Sequence, residues 1–223
     1  MAFGLDFSFL VGYTYVCLRA FLYTIILTVV TCLFGTTVGC IWGIILASQR
    51  KALLELRLVL SVSADVVKGI PPLVLLLLFN YCIAPTFAIK SIFWIASSAF
   101  AINLAAFVAD VVRSALVNVD KSVINAAKGL GMSPGQVTRH VIMPLAVRPT
   151  IPALALLCIH ILKMTSLASI LSYPELTYVG ANISSVTFRP LEPLLLITAF
   201  YLLAAVPFSW VQRHLERSLD LAR

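Results

Sequence analysis

Four long stretches of this chain carry no charged side chain: Ala20 to Gln49, Gly69 to Ile89, Ser91 to Ala109 and Pro193 to Gln212. Each approaches or exceeds the roughly 18 to 20 residues that carry a helix across about 30 Å of hydrocarbon. A soluble domain does not tolerate four such stretches. Charged residues make up only 11% of the sequence, against roughly 25% in an ordinary soluble domain. The expected fold is all-α, a polytopic membrane protein of about five transmembrane helices. The fifth span is the least obvious, because Pro149 to Leu162 offers only 14 apolar or neutral residues between Arg148 and Lys163. To cross, it must extend past one of these charges, with Arg148 snorkelling at one end or Lys163 facing protein or water at the other.

The net charge of +7 does not call for nucleic acid, because the basic residues segregate by side. With the N-terminus outside, five crossings place Arg50, Lys51, Arg57, Lys68, Arg113, Lys121, Lys128, Arg139, Arg148, Arg213, Arg217 and Arg223 in the cytoplasm. Only Arg19, Lys90, Lys163 and Arg189 are left outside or in the membrane. The positive-inside rule therefore predicts an N-out, C-in topology. Met1 to Leu18 has no basic segment ahead of an apolar core, so the first helix itself is expected to direct insertion. Cys17, Cys32, Cys40, Cys82 and Cys158 occur singly, without CxxC spacing, and read as small packing residues.

No internal repeat divides the chain, and residues 1–223 read as a single transmembrane domain whose longest polar stretch is a cytoplasmic loop at about 114–148. Gly35, Gly39 and Gly43 fall on one helix face at i, i+4 and i+8, where a subunit contact and packing within the chain are both open. Asp65 with Lys68, and Asp110 with Arg113, are helix-surface neighbours three apart. They read either as a gate or brace, or as mutual neutralisation where helices leave the bilayer. Gly69-Ile70-Pro71-Pro72 loosens the helical hydrogen-bond ladder and marks a kink.

The loop from Lys121 to Pro144 predicts two short helices and a sharp bend. Val123, Ala126, Ala127 and Leu130 are expected on one face. Gly131 suits the left-handed position after a helix, and Ser133, Pro134 and Gln136 form a capping-box start. Val137, Val141 and Ile142 supply an apolar stripe, and Pro144 marks where the next element begins. Such a helix fits a groove on another protein, or lies on lipid headgroups.

This loop resembles the EAA loop of ABC importer permeases, with Asn125-Ala126-Ala127 in place of Glu-Ala-Ala, Gly131 at the glycine, and Met143-Pro144 at the closing Ile/Leu-Pro. Lys68-Gly-Ile-Pro-Pro, Ala109-Asp-Val-Val-Arg113 and Lys163-Met-Thr-Ser-Leu-Ala-Ser169 are similar to motifs of the polar amino acid branch (histidine, glutamine, arginine and opine permeases). The resemblance runs from about Thr24 to the C-terminus. It implies the type I, MetI-like permease fold with five helices, N-out and C-in, in the bacterial inner membrane. It also implies a second permease subunit, identical or homologous, two cytoplasmic ATPase subunits that bind ATP and Mg, and an external amino-acid-binding protein. Asn125, Ala126, Ala127, Gly131 and Pro144 are then the ATPase-coupling residues. Asn125 departs from the motif glutamate, so a salt bridge from that position is replaced at most by an amide hydrogen bond.

No Walker A sequence, His-Glu-x-x-His helix or Gly-x-Ser-x-Gly elbow occurs, and His140, His160 and His214 are isolated. No catalytic, cofactor-binding or metal residue is assigned, and the expected chain is not an enzyme. Lys163 with Thr165, Ser166 and Ser169 reads as part of a wet path for a zwitterion, or as a lysine bracing a loop through helix-end carbonyls. Asp65, Lys68, Asp110 and Arg113 complete the candidate path or gate, and Glu175 and Glu192 are possible outer-side partners for Lys163. An ion-gradient-driven secondary transporter or a non-transport scaffold subunit are the competing functions. A cysteine introduced as Ser122→Cys is expected to react only from the cytoplasmic side, and one at Thr86→Cys from outside. Labelling of Ser122→Cys by an impermeant reagent in intact cells would overturn this topology.

Overall fold

A computed structural model describes residues 6–48 and 50–218. Gln49, the end of the first uncharged stretch, Arg223, the last basic residue assigned to the cytoplasm, and the first five residues of the Met1 to Leu18 segment lie outside the described residues. Among the described residues every regular element is helical. After a tight turn at Ser8–Tyr13 come α1 (Thr14–Ala47), α2 (Leu54–Gly69), α3 (Pro72–Leu78), α4 (Ile92–Val117), α5 (Lys121–Gly129), α6 (Pro134–Val137), α7 (Met143–Met164), α8 (Leu176–Thr187) and α9 (Leu191–Ser218).

Among the described residues four helical runs are long and apolar enough to cross a membrane: Ser8–Ala47, Ile92–Val117, Pro134–Leu171 and Leu191–Ser218. A fifth exists if Lys51–Gly69 and Pro72–Thr86 are taken together as one broken span. The expected span at Gly69 to Ile89 is thus redrawn. Ile70 is extended, at φ −84° and ψ 126°, as the residue before a proline prefers. The expected kink is therefore a full break, and the helix that restarts at Pro72 runs through a π-helical turn at Phe79–Ile83 and ends at Thr86.

The short fifth span is also longer than its uncharged part. α7 is one 22-residue helix that includes both Arg148 and Lys163 and carries Pro149 and Pro152 inside it. It does not begin afresh at Pro144. A π-helical turn, Thr138–Ile142, joins α6 to α7 without a loop. A proline here would clash with the carbonyl four residues back, and a π-helical turn placed just before it is where such a mismatch is absorbed.

The chain forms two compact units. The first comprises Met1–Cys32, Pro72–Phe100 and Ile159–Phe208. Its core packs Leu10, Cys17 and Ala20 against Leu176, Val179 and Ile183 of α8. Glu175 is wholly buried and caps α8, its carboxylate accepting from the Thr177 and Tyr178 amides at 2.8 Å each. The Tyr201 hydroxyl donates to the same carboxylate at 2.8 Å, and the Thr24 hydroxyl accepts from the Leu176 amide at 3.2 Å. The first orphan amides of α8 are in this way satisfied inside an apolar core, where leaving them bare would cost most.

The second unit comprises Leu33–Pro71, Ala101–Cys158 and Ser209–Arg223. Here Gly35, Gly39 and Gly43 meet α4, which decides for packing within the chain. A Cβ on Gly39 would lie 2.5 Å from Val108 Cβ and 2.7 Å from the Ala105 carbonyl oxygen. One on Gly43 would lie 2.7 Å from the Ala109 carbonyl oxygen, and one on Gly35 2.9 Å from that of Ala101. Glycines on one helix thus lie against the backbone at Ala101, Ala105 and Ala109 on the other, the close approach that small residues permit. Trp42 seals the end of this seam with Leu46, Ala64, Ala106 and Ala109, its indole N–H donating to the Leu60 carbonyl at 3.2 Å.

Gly39→Ala is expected to lower thermal stability in detergent by about 1–3 kcal/mol, the usual cost of overpacking, because backbone cannot yield. Gly180→Ala should cost less, since its Cβ would meet only the Ile197 side chain. Equal melting temperatures for Gly39→Ala and the parent would remove the seam from its structural role.

Candidate functional site

Local hydrogen bonds set the caps and the bend of the loop between α4 and α7. Asp120 caps α5, its carboxylate accepting from the Ser122 amide at 2.8 Å. Hydrogen bonds from the Ser122 backbone and side chain hold the Asp120 carboxyl below its usual range. Its capping contribution is present above the ordinary carboxylate range and is lost as pH falls through that lowered value. At the other end Gly131 takes the left-handed conformation at φ 79°. The Met132 amide donates to the Ala127 carbonyl at 3.3 Å and the Gly131 amide to the Lys128 carbonyl at 3.0 Å, which together form a Schellman motif.

Two residues on, Ser133 starts α6 with a complete capping box. The Gln136 amide donates to Ser133 Oγ at 3.4 Å, and Gln136 Oε1 accepts from the Ser133 amide at 2.8 Å. Pro134 occupies the first helical position, where its missing N–H leaves nothing unsatisfied.

The expected common face of α5 divides in the structure. Ala127 is turned inward at 6% exposure, while Val123, Ala126 and Leu130 are exposed, Leu130 at 85%. An apolar row at i, i+3 and i+7 is therefore held out on a rigid bend. Asn125 is exposed on the opposite side of the same helix, and Pro144 is exposed near the start of α7.

The charged residues pair differently from their sequence spacing. Lys68 meets Asp65 at 3.0 Å, as three-residue spacing predicts. Asp110, however, forms its ion pair with Lys68 rather than with Arg113 three residues on. Lys68, only 20% exposed along its side chain, ties the last turn of α2 to α4, and its charge suits the C-terminal end of α2. Arg113 is exposed and, among the described residues, joins no salt bridge.

Lys163 lies in the last turn of α7, exposed and without an ion pair among the described residues. The hydroxyls that follow it bond backwards: Thr165 to the Leu162 carbonyl at 2.7 Å, Ser166 to that of Lys163 at 2.8 Å, and Ser169 to that of Ser166 at 2.7 Å. Their protons satisfy carbonyls of the last turn of α7 and of the tightened run Thr165–Leu171 that follows it, and their lone pairs stay available as acceptors. Neither expected acidic partner reaches Lys163. Glu175 is committed to the cap of α8, and Glu192, 6% exposed, accepts from the Asp6 amide at 3.5 Å. The Glu175–Tyr201 group escaped the sequence reading; its signal was an acid directly before the apolar start of α8. No three His, Cys, Asp or Glu side chains gather as a metal site among the described residues.

Residues 39–221 match the family described as binding-protein-dependent transport system inner membrane component. The chain belongs to this family. It is 32% identical over 159 residues to the glutamine transport system permease protein GlnP of Escherichia coli (strain K12), covering 70% of this chain and 73% of that one. It is also 32% identical over 203 residues to the L-cystine transport system permease protein TcyB of Bacillus subtilis (strain 168), covering 89% and 84%. The crystal structure of an amino acid ABC transporter with histidines superposes with a TM-score of 0.86 at 32% identity, over 96% of this chain and 99% of that one. An inward-facing form of the MetNI methionine ABC transporter, at 17% identity, gives 0.79 over 93% and 98%, a likeness of fold alone. The fold is thus that of the MetI-like ABC permeases, set in the inner membrane as a multi-pass protein. Membership in the permease family sets aside the secondary-transporter and scaffold readings.

A double-mutant cycle on Lys68→Met and Asp110→Asn should give a coupling of about 0.2–1 kcal/mol in thermal unfolding, modest because Asp110 is partly exposed. Zero coupling for this pair, with a measurable one between Asp110 and Arg113, would overturn the pairing.

Proposed function

We propose that this chain is a membrane permease subunit of an ATP-driven importer, passing inward a polar amino acid handed over by an external binding protein. The observation that carries the reading is the pre-shaped bend of α5 and α6 in a chain of the permease family. The exposed row Val123, Ala126 and Leu130 leaves an apolar surface that asks for a partner. Relatives whose names specify glutamine and L-cystine transport support an amino acid as cargo.

In this reading the whole chain is one permease domain, N-out and C-in, and its loop at about 114–148 lies in the cytoplasm. Two ATPase subunits bind ATP and Mg and dock on the loop, and a second permease subunit, identical or homologous, completes the channel. Asn125, Ala126, Ala127, Gly131 and Pro144 form the coupling element with divided duties. Ala126 touches the ATPase, Ala127 seats α5 on its own subunit, and Gly131 sets the bend. Asn125 faces away from the docking row, so the amide in place of the motif glutamate leaves that row intact. Pro144, just after the π-helical turn, sets how the loop passes into α7.

Lys163 contributes to the translocation path. An ammonium without a carboxylate partner attracts the carboxylate of a zwitterion, and the lone pairs of Thr165, Ser166 and Ser169 suit its ammonium end. Asp65, Lys68 and Asp110 brace the gate, with Arg113 beside them.

The test uses complexes with all partner subunits in vesicles. Ala126→Trp should insert normally yet lower binding-protein-stimulated ATP hydrolysis by at least about tenfold, the equivalent of about 1.4 kcal/mol of lost docking. Lys163→Met should leave assembly unchanged and lower uptake per ATP hydrolysed. Normal stimulated hydrolysis in the first variant would remove the loop from coupling, and normal uptake per ATP in the second would reduce Lys163 to a brace.

A further inference from the structure

The side of α5 turned away from the docking row lines a cavity of about 920 Å³ within the second unit, the size of a small-molecule site. Lys121, Asn125 and Lys128 fall on this side because they are spaced i, i+4 and i+7. Arg50, from the link between α1 and α2, adds a third cation. No carboxylate lines the cavity, and none of the three cations forms a salt bridge with any described residue. The one other polar group on that face of α5, Asn125, is neutral. Three cations are thus gathered around one space with no carboxylate in its lining and no ion pair to any described residue.

Apart from the Ser48 and Thr138 hydroxyls the remaining walls are apolar, with Ile44 and Ile45 near the end of α1, Leu53, and Leu116 and Val117 at the end of α4. Ile44 and Val117 are 50% and 58% exposed, and they lie in the last turns of two of the helical runs that are apolar enough to cross a bilayer. The cavity is therefore oily where the spans end and cationic where the chain turns into its polar loop. A free inorganic anion uses only the second property. An anionic phospholipid uses both, its phosphate meeting the cations and the first methylenes of its chains lying along Ile44, Leu116 and Val117.

We infer that this cavity binds an anionic phospholipid, held by Arg50, Lys121 and Lys128 through its headgroup phosphate. The leaflet it draws from follows the topology of the proposed function; binding itself does not depend on that topology. The two sides of α5 then have different occupants, an ATPase on the row Val123, Ala126 and Leu130, and a lipid behind it.

The full chain, purified in detergent, is titrated with phosphatidylglycerol and with phosphatidylcholine of the same acyl chains, and bound lipid is counted by native mass spectrometry. Phosphatidylglycerol should bind at least about tenfold more tightly, and Lys121→Gln/Lys128→Gln should remove that preference, given about fivefold per cation near a lipid surface. Asn125→Glu, which sets a carboxylate among the cations without altering the fold of an exposed helix, should do the same. Equal binding of the two lipids, or a preference kept in both variants, would overturn the inference. So would displacement of phosphatidylglycerol by inorganic phosphate at equal concentration, which would mark a free-anion site. Loss of the lipid on assembly with the ATPase would also overturn it, since the cavity would then be a protein contact. Failure of the ATPase to couple would leave the lipid result unaffected, so the two readings fail separately.

Discussion

A peptide group placed in hydrocarbon has no water to turn to, so its N–H and C=O must be satisfied by the chain itself. That demand explains why every regular element among the described residues is helical, and it bears on where the helices depart from α-geometry. The break at Ile70–Pro71, the π-helical turns at Phe79–Ile83 and Thr138–Ile142, and the tightened run Thr165–Leu171 each have an identifiable local arrangement. In the last, serine and threonine hydroxyls bond back to the carbonyls of the preceding turn. At the start of α8 a buried glutamate takes the place that water fills in a soluble protein.

Much of the fold was legible because charge is the strongest one-dimensional signal a membrane chain carries. The uncharged stretches locate α1, α4 and α9. They misjudge the helical run that begins with α3, which stops at Thr86 although apolar residues continue, and they understate α7. The physical reason is the same in both cases: helix ends follow backbone hydrogen bonding and proline geometry, whereas hydropathy follows solvent. Arg148 and Lys163 sit inside α7 because long side chains can carry a charge away from the helix axis.

The caps and the bend of the loop were legible, since a capping box and a glycine-ended helix are short-range patterns. What no short-range pattern reveals is which side of α5 rests on its own subunit. Ala126 and Ala127 are identical in sequence terms, and tertiary packing alone turns one out and the other in. The charge pairs show the same limit: three-residue spacing foretold Lys68–Asp65, while the partner of Asp110 came from another helix, forty-two positions away. Likewise the glycine row of α1 announced a close contact but left its other side open until α4 supplied it.

The joint between α5 and α7 has a mechanical consequence. From Asp120 to Gln136 the chain is held by hydrogen bonds between near neighbours, and from Pro134 onward one helical run continues to Leu171. Little conformational freedom remains for a docking partner to freeze out, which favours affinity for a given contact area. Only the hydrogen-bonded turn at residues 130–133 separates the exposed row on α5 from the run that leads into α7. Within the second unit the exposed row is therefore held at a set offset from the start of α7, as a bracket holds a shelf.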